Sequence, residues 1–364
     1  MHGPRTLHVH RLRSNTCSCR EVKTEVPSEA QRIRRSLRDA GFATGAIDAV
    51  WPQWWSEDAE SSASATAELR YSLSRRLGLA PASLFGTEPT FVWRDDTLFK
   101  NLGAATDREA AILASFSVAV GRSAIAATTA VDQTLVGVSA VDLRAAILAS
   151  AEWVGLRELA SLCWGIGIPL LGLEVFPLRQ KRMHAATARV EDRHAILLGR
   201  QSSFPAQVAY YVAHEIGHIA LGHSVESAAL LDIGDPLKPV DPDDDERAAD
   251  RYALELLTGS PDPQIEASVE QFTAKSLADA VLEQGPPHRI DPGVLALCMG
   301  HRSGRWPQVF KALRRIMSGE QPDVTRDLNR LARAQLDWDA LPFDTQEFLE
   351  TVMGGRDGGR GADA

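Results

Sequence analysis

Residues 214–218 read His-Glu-Ile-Gly-His, and their setting constrains this chain more than any other feature. They lie inside Gln207 to His223, an apolar run in which Val208, Val212, Ile216 and Ile219 recur at helical spacing. Residues four apart on a helix share a face. His214 and His218 can therefore aim two imidazoles at one metal ion. Glu215, beside the first of them, is placed to reach a water on that ion. The pattern points to metal-assisted hydrolysis of an amide bond, on a helix that must also bury a face of its own.

Catalytic zinc usually takes three protein ligands and keeps a further position open. The expected third ligand is Glu246. It opens the stretch Glu246 to Leu257, where Ala249, Tyr252, Ala253, Leu256 and Leu257 form an apolar stripe of helical period. Glu246 and Asp250 stand one turn apart on the more polar face. Asp250 fits an outer role, accepting the distal N–H of a ligand histidine. The aspartates at 243–245 read as helix caps and partners of the helix dipole. His223 follows His218 by five residues, whereas a metzincin places its third histidine at six. The expectation is a helix-end residue, with a place near the metal as the alternative. Tyr210, Tyr211 and Tyr252 are candidate donors to the oxyanion, and each also fits a core aromatic.

These residues resemble the ImmA/IrrE family of zinc metallopeptidases. The resemblance rests on His214 to His223 and on Glu246-x-x-Ala-Asp-x-Tyr-Ala-x-Glu-Leu-Leu257. Trp153 to Ala160 and Gly165 to Leu170 are similar to that family's entry helix and first strand. Ala195 to Gly199 is similar to the strand before its active-site helix. The similarity spans roughly residues 145–262. It implies an α+β, zincin-like peptidase core in which the active-site helix packs on a small antiparallel or mixed sheet. It also implies a Zn2+ cofactor, a carboxylate third ligand of gluzincin type, and Glu215 as the catalytic base. The partner it implies is a protein substrate, a transcriptional repressor, cleaved in a stress or phage response. Tyr252 stands where many relatives have phenylalanine. Residues 1–144 carry no clear recognition helix, so DNA contact has weak support. The extended substrate is expected to pair with the strand around Ala195 to Gly199 by β-augmentation.

Composition narrows the remaining classes. A chain of 364 residues has room for more than one domain. Its net charge of −9 argues against a nonspecific nucleic-acid coat. The first forty residues are nevertheless rich in arginine, which fits a solvated leader better than a nucleic-acid arm. Four cysteines are too few and too scattered for a disulfide scaffold. Cys163 and Cys298 fit small core residues. Cys17 or Cys19 could cap the zinc as an inhibitory thiolate. The longest uncharged stretches, such as Ala110 to Gly121 and Leu159 to Leu173, fall short of the roughly 18–20 residues of a membrane span. No signal-peptide pattern follows the basic N-terminus. The expected setting is the cytoplasm, with no membrane partner.

Five regions follow along the chain. They are an irregular leader at 1–27, a helical region at 28–144 with a degenerate helix-turn-helix as one reading, and the peptidase domain at 145–262. A helical region at 263–353 and a disordered tail at 354–364 complete the order. The tryptophans at 51, 54 and 55 have no interleaved basic residues and read as an anchoring core. Two other function classes compete with the peptidase. One is a DNA-binding regulator whose zinc fold is a sensor. The other is a structural metal module closed by a fourth protein ligand.

Overall fold

A computed structural model describes residues 27–80, 107–179, 183–199, 201–223, 229–232, 244–265, 272–319 and 322–355. The leader with Cys17 and Cys19, and the tail beyond Gly355, lie outside the described residues. Gly354 and Gly355, read as part of that tail, are ordered. The N–H of Gly355 bonds the Glu350 carbonyl at 2.8 Å, and its carbonyl accepts from Arg333 at 2.6 Å.

The class is α+β. Among the described residues four strands, β1 (Leu170–Gly172), β2 (Ala185–Val190), β3 (Arg193–Leu198) and β4 (Ala229–Asp232), make a mixed sheet of order β1-β3-β2-β4. β1 runs parallel to β3, and the other two pairings are antiparallel. β2, just ahead of β3, has no counterpart among the strands expected from sequence at Gly165 to Leu170 and Ala195 to Gly199. Three of its first four residues are alanines of little strand propensity, and pairing on both sides holds them as a strand.

Strand side chains alternate between faces, and the register separates two sets. Ala186, Ala188, Leu171 and Leu197 join one core cluster, whereas Ala185, Leu170, Ile196 and Leu198 join another. Helix α4 (Asp107–Ala126) covers the first face and α7 (Pro205–Ala220) the second. α4 can lie close because it presents Gly121 to β2. A Cβ there would fall 2.6 Å from that of Ala188. Arg193 fastens the end of α4, donating to the carbonyls of Ile125 and Thr128 at 2.9 and 2.7 Å.

The helix α4 runs straight through Arg122, beyond the uncharged stretch visible in sequence. Its Arg108–Ala126 span is long and apolar enough to cross a membrane by length and composition, and 72% of it is buried inside the protein.

The other helices wrap this sandwich. Before α4 come α1 (Glu29–Asp39), α2 (Thr44–Ala49) and α3 (Ala63–Leu77). Ser28 caps α1 in a reciprocal capping box with Gln31. Trp51 and Trp55 pack on the core, the former beneath the Arg34 guanidinium at 4.0 Å, while Trp54 is exposed. α5 (Ala140–Leu148) and α6 (Leu156–Gly165) lead into β1. After α7 follow α8 (Asp244–Thr258), α9 (Ala274–Gln284), α10 (Pro292–Ser303), α11 (Trp306–Ile316), α12 (Val324–Gln335) and α13 (Phe343–Val352). The cores do not follow the regional boundaries drawn from sequence. One cluster joins Leu37, Leu73 and Phe116 to Leu171 and Leu197 of the sheet and to Ala332 and Phe348 near the C-terminus.

The sheet has two margins. That of β1 is closed by Asn329 of α12. The side-chain amide of Asn329 donates to the Gly172 carbonyl at 2.8 Å, and its oxygen accepts from the Gly172 N–H at 2.8 Å. Among the described residues β4 pairs with β2 alone. β3 lies inside the sheet, bonded to β1 on one side and β2 on the other. The expected addition of a substrate strand at Ala195 to Gly199 is therefore corrected, because that backbone is already paired.

Candidate metal centre

Helix α7 begins with Pro205 at its first turn, where the missing N–H costs nothing. It is buried nearly all round, between the sheet, α6, α8 and α10. Its histidines thus enter a region with little water. Burying a polar side chain is costly unless it is partnered, and each of these is partnered from another element.

Helix α8 supplies most of the partners. Its first turn holds Asp244, Asp245 and Glu246, whose charges suit the positive end of the helix dipole. Its far end is held by Arg144 of α5, a buried guanidinium that donates to the carbonyls of Leu256 and Leu257 at 3.0 and 2.8 Å.

Together α7 and α8 bring His214, His218 and Glu246 into one buried group, able to hold a metal ion. Nε2 of His214 and Nε2 of His218 are 3.0 Å apart. The Glu246 carboxylate lies 3.2 Å from the first through Oε2 and 3.5 Å from the second through Oε1. Burial alone would raise the Glu246 carboxyl, but hydrogen bonds from His214 and His218 hold it well below the usual carboxylate range.

Outer contacts orient each imidazole. Nδ1 of His214 meets Oδ1 of Asp250 at 2.9 Å, the pairing expected for Asp250. Tyr210 donates its hydroxyl to the same oxygen at 2.6 Å. Asp250 is likewise lowered, its burial outweighed by the bond from His214, the charge of that histidine and the bond from Tyr210. Nδ1 of His218 meets Nδ1 of His223 at 2.9 Å, and Nε2 of His223 lies 3.6 Å from Oδ1 of Asp245.

His223 is a helix-end residue, as expected, yet it also reaches the site. The N–H of His223 returns to the His218 carbonyl at 3.0 Å and that of Gly222 to Ile219 at 3.1 Å. Together they make a Schellman turn. Gly222 permits it with φ +78. The turn folds His223 back over His218, so the five-residue spacing that breaks the metzincin register still delivers an imidazole. Asp245 is correspondingly more than a cap.

Glu215 is buried on the sheet side of α7. Thr187, fully buried on β2, donates its hydroxyl to Oε2 of Glu215 at 2.6 Å. Sequence reasoning missed Thr187. The register explains its position, since Thr187 pairs with Ile196 on the face turned to α7.

Tyr252 is not part of the group. Its hydroxyl donates to the Val138 carbonyl at 3.0 Å, and burial pushes its pKa up to about 12. Tyr211 accepts a bond from Gln207 at 3.0 Å and stacks on His184. Of the three tyrosines, Tyr210 is the one tied to the site. Cys163 is fully buried, which raises its thiol to about 12, and Cys298 rises to about 11 for the same reason. Both are inert packing residues at neutral pH.

Comparisons with protein-family models, with curated proteins and with solved structures give no match to this chain.

Proposed function

We propose that this chain is a zinc-dependent endopeptidase with a zincin-like core, acting in the cytoplasm on a protein partner, a transcriptional repressor. The reading rests first on one observation, the buried convergence of His214, His218 and Glu246. The resemblance of His214 to His223 and of Glu246 to Leu257 to the ImmA/IrrE peptidases adds the substrate class, by analogy.

The donor set fits zinc. Ligands about 2.0–2.1 Å from a tetrahedral ion stand roughly 3.3–3.4 Å from one another. The three separations in the group run from 3.0 to 3.5 Å. Two imidazoles and a carboxylate are also the ligand set of zinc endopeptidases, with a fourth position left for solvent or substrate. A bound zinc ion supplies the Lewis-acid chemistry of amide hydrolysis.

The chain's own residues do the rest. Asp250 and Tyr210 fix the ring of His214, keeping its proton on Nδ1 and Nε2 available. Glu215 takes the proton of the attacking water and returns it to the leaving amine. Thr187 holds the Glu215 carboxylate at Oε2, so the base does not turn away between those transfers. The surrounding apolar residues of α6, α7 and α10 exclude bulk water. An extended substrate joins the sheet at the margin of β4 rather than at β3.

The test is Glu215→Gln. The variant should keep one zinc per chain, while cleavage of the partner falls by roughly 10²–10⁴. New N-termini in the host proteome, compared between wild type and variant, identify the substrate. Undiminished cleavage by the variant would remove Glu215 from the mechanism.

A further inference from the structure

The two candidate zinc histidines have different supports. His214 leans on a carboxylate, Asp250, within hydrogen-bond distance. His218 leans on another imidazole, that of His223, with the Asp245 carboxylate behind it. With Nε2 of His218 given to a metal beside Glu246 and His214, its proton would sit on Nδ1 and be donated to Nδ1 of His223. The proton of His223 would then sit on Nε2, which faces Oδ1 of Asp245.

We propose that His223 and Asp245 are positioning residues for His218, forming a two-step support that orders the second zinc ligand. This rests on the metal-site reading above but not on peptidase activity. Three features converge on it. His223 is 11% exposed, its backbone is returned over His218 by the Schellman turn, and Asp245 precedes Glu246 in the same helical turn. The first turn of α8 therefore contributes a ligand to the group and, one residue earlier, the end of the support for another ligand. Closing α8 onto α7 completes both at once.

Zinc affinity of the full chain, by competition against a chromophoric chelator at fixed pH, tests this. His223→Leu should weaken zinc by about 10–100-fold, the usual cost of losing an outer partner of a ligand histidine. His223→Asn, whose side-chain oxygen can accept from Nδ1 of His218, should recover most of that loss. Asp245→Asn should weaken zinc less than His223→Leu. In the zinc-loaded wild type, 15N NMR should find His223 protonated at Nε2. Equal affinity of wild type and His223→Leu overturns the proposal. So does an Asn variant as weak as Leu, since that marks a packing residue. Failure of the wild type to bind one zinc would instead sink the metal-site reading.

Discussion

Helices α4 and α7 cover opposite faces of one sheet, and both are apolar and largely buried. α4 meets its face with Gly121 set against Ala188 and Ala195 of the sheet, and its end is tied by Arg193. α7 sets Glu215 against the other face and turns two histidines to α8, each of the three joined to a residue far away in sequence. The same architecture thus tolerates a wholly packed helix and a helix full of ionisable groups. The difference is external partnership. His214, His218 and Glu215 on α7 are each matched by an acceptor or donor from β2, from α8 or from the turn at His223. A buried group left without one would cost about 1–3 kcal/mol or more.

If that contrast is right, the two faces should fail differently. The largest effect should follow Glu246→Ala. Zinc binding should weaken by more than the roughly 10–100-fold typical of an outer partner, while the zinc-free chain keeps its unfolding midpoint to within a few degrees. Metal analysis after dialysis and a thermal scan give both readouts. A variant that keeps full metal places the third ligand elsewhere. On the other face, Gly121→Val should lower unfolding free energy by about 1–3 kcal/mol, because the added Cβ overlaps β2. Its affinity for zinc per folded chain should match wild type. A urea titration paired with the chelator assay separates the two, and a zinc defect equal to the stability defect would mean the faces are not independent.

The smallest effect concerns pH. His194 lies on the α7 face of β3, and burial, with Arg189 adding to it, lowers its pKa to about 4. The unfolded chain takes up a proton near pH 6.5 that the folded chain refuses until about pH 4. Stability from this residue is therefore complete above pH 6.5 and declines as pH falls towards 4. Between pH 7.5 and 5.5 wild type should lose about 1 kcal/mol more than His194→Gln in urea unfolding. Parallel pH profiles for the two proteins would show that His194 is solvated in the folded state.

What could be read from the sequence follows the range of the interactions. His214 with His218, and Glu246 with Asp250, are each spaced by one helical turn. Their shared faces follow from the period alone, and the group they form needed one further step, that the two helices meet. The partner of Glu215 was hidden because nothing near residue 187 announces that β2 pairs with β3 in the register that turns Thr187 to α7. The place of His223 was half visible. Gly222 signals a helix end, but the return over His218 needs the turn type as well. β3 inside the sheet could not be foreseen, since an apolar strand reads the same in the middle of a sheet as beside a free margin. Short α2, stabilised by tertiary packing more than by its own six residues, left no periodic trace.

The amide of Asn329 gives the sheet a direction. By mimicking a neighbouring strand at Gly172, it makes one margin sticky only towards its own chain, while on the far side β4, among the described residues, pairs with β2 alone. Shortening the protein ahead of α12 would therefore do more than delete two helices. It would peel away a molecular stopper and hand the sheet a growing end at β1, inviting stacking of one copy upon another.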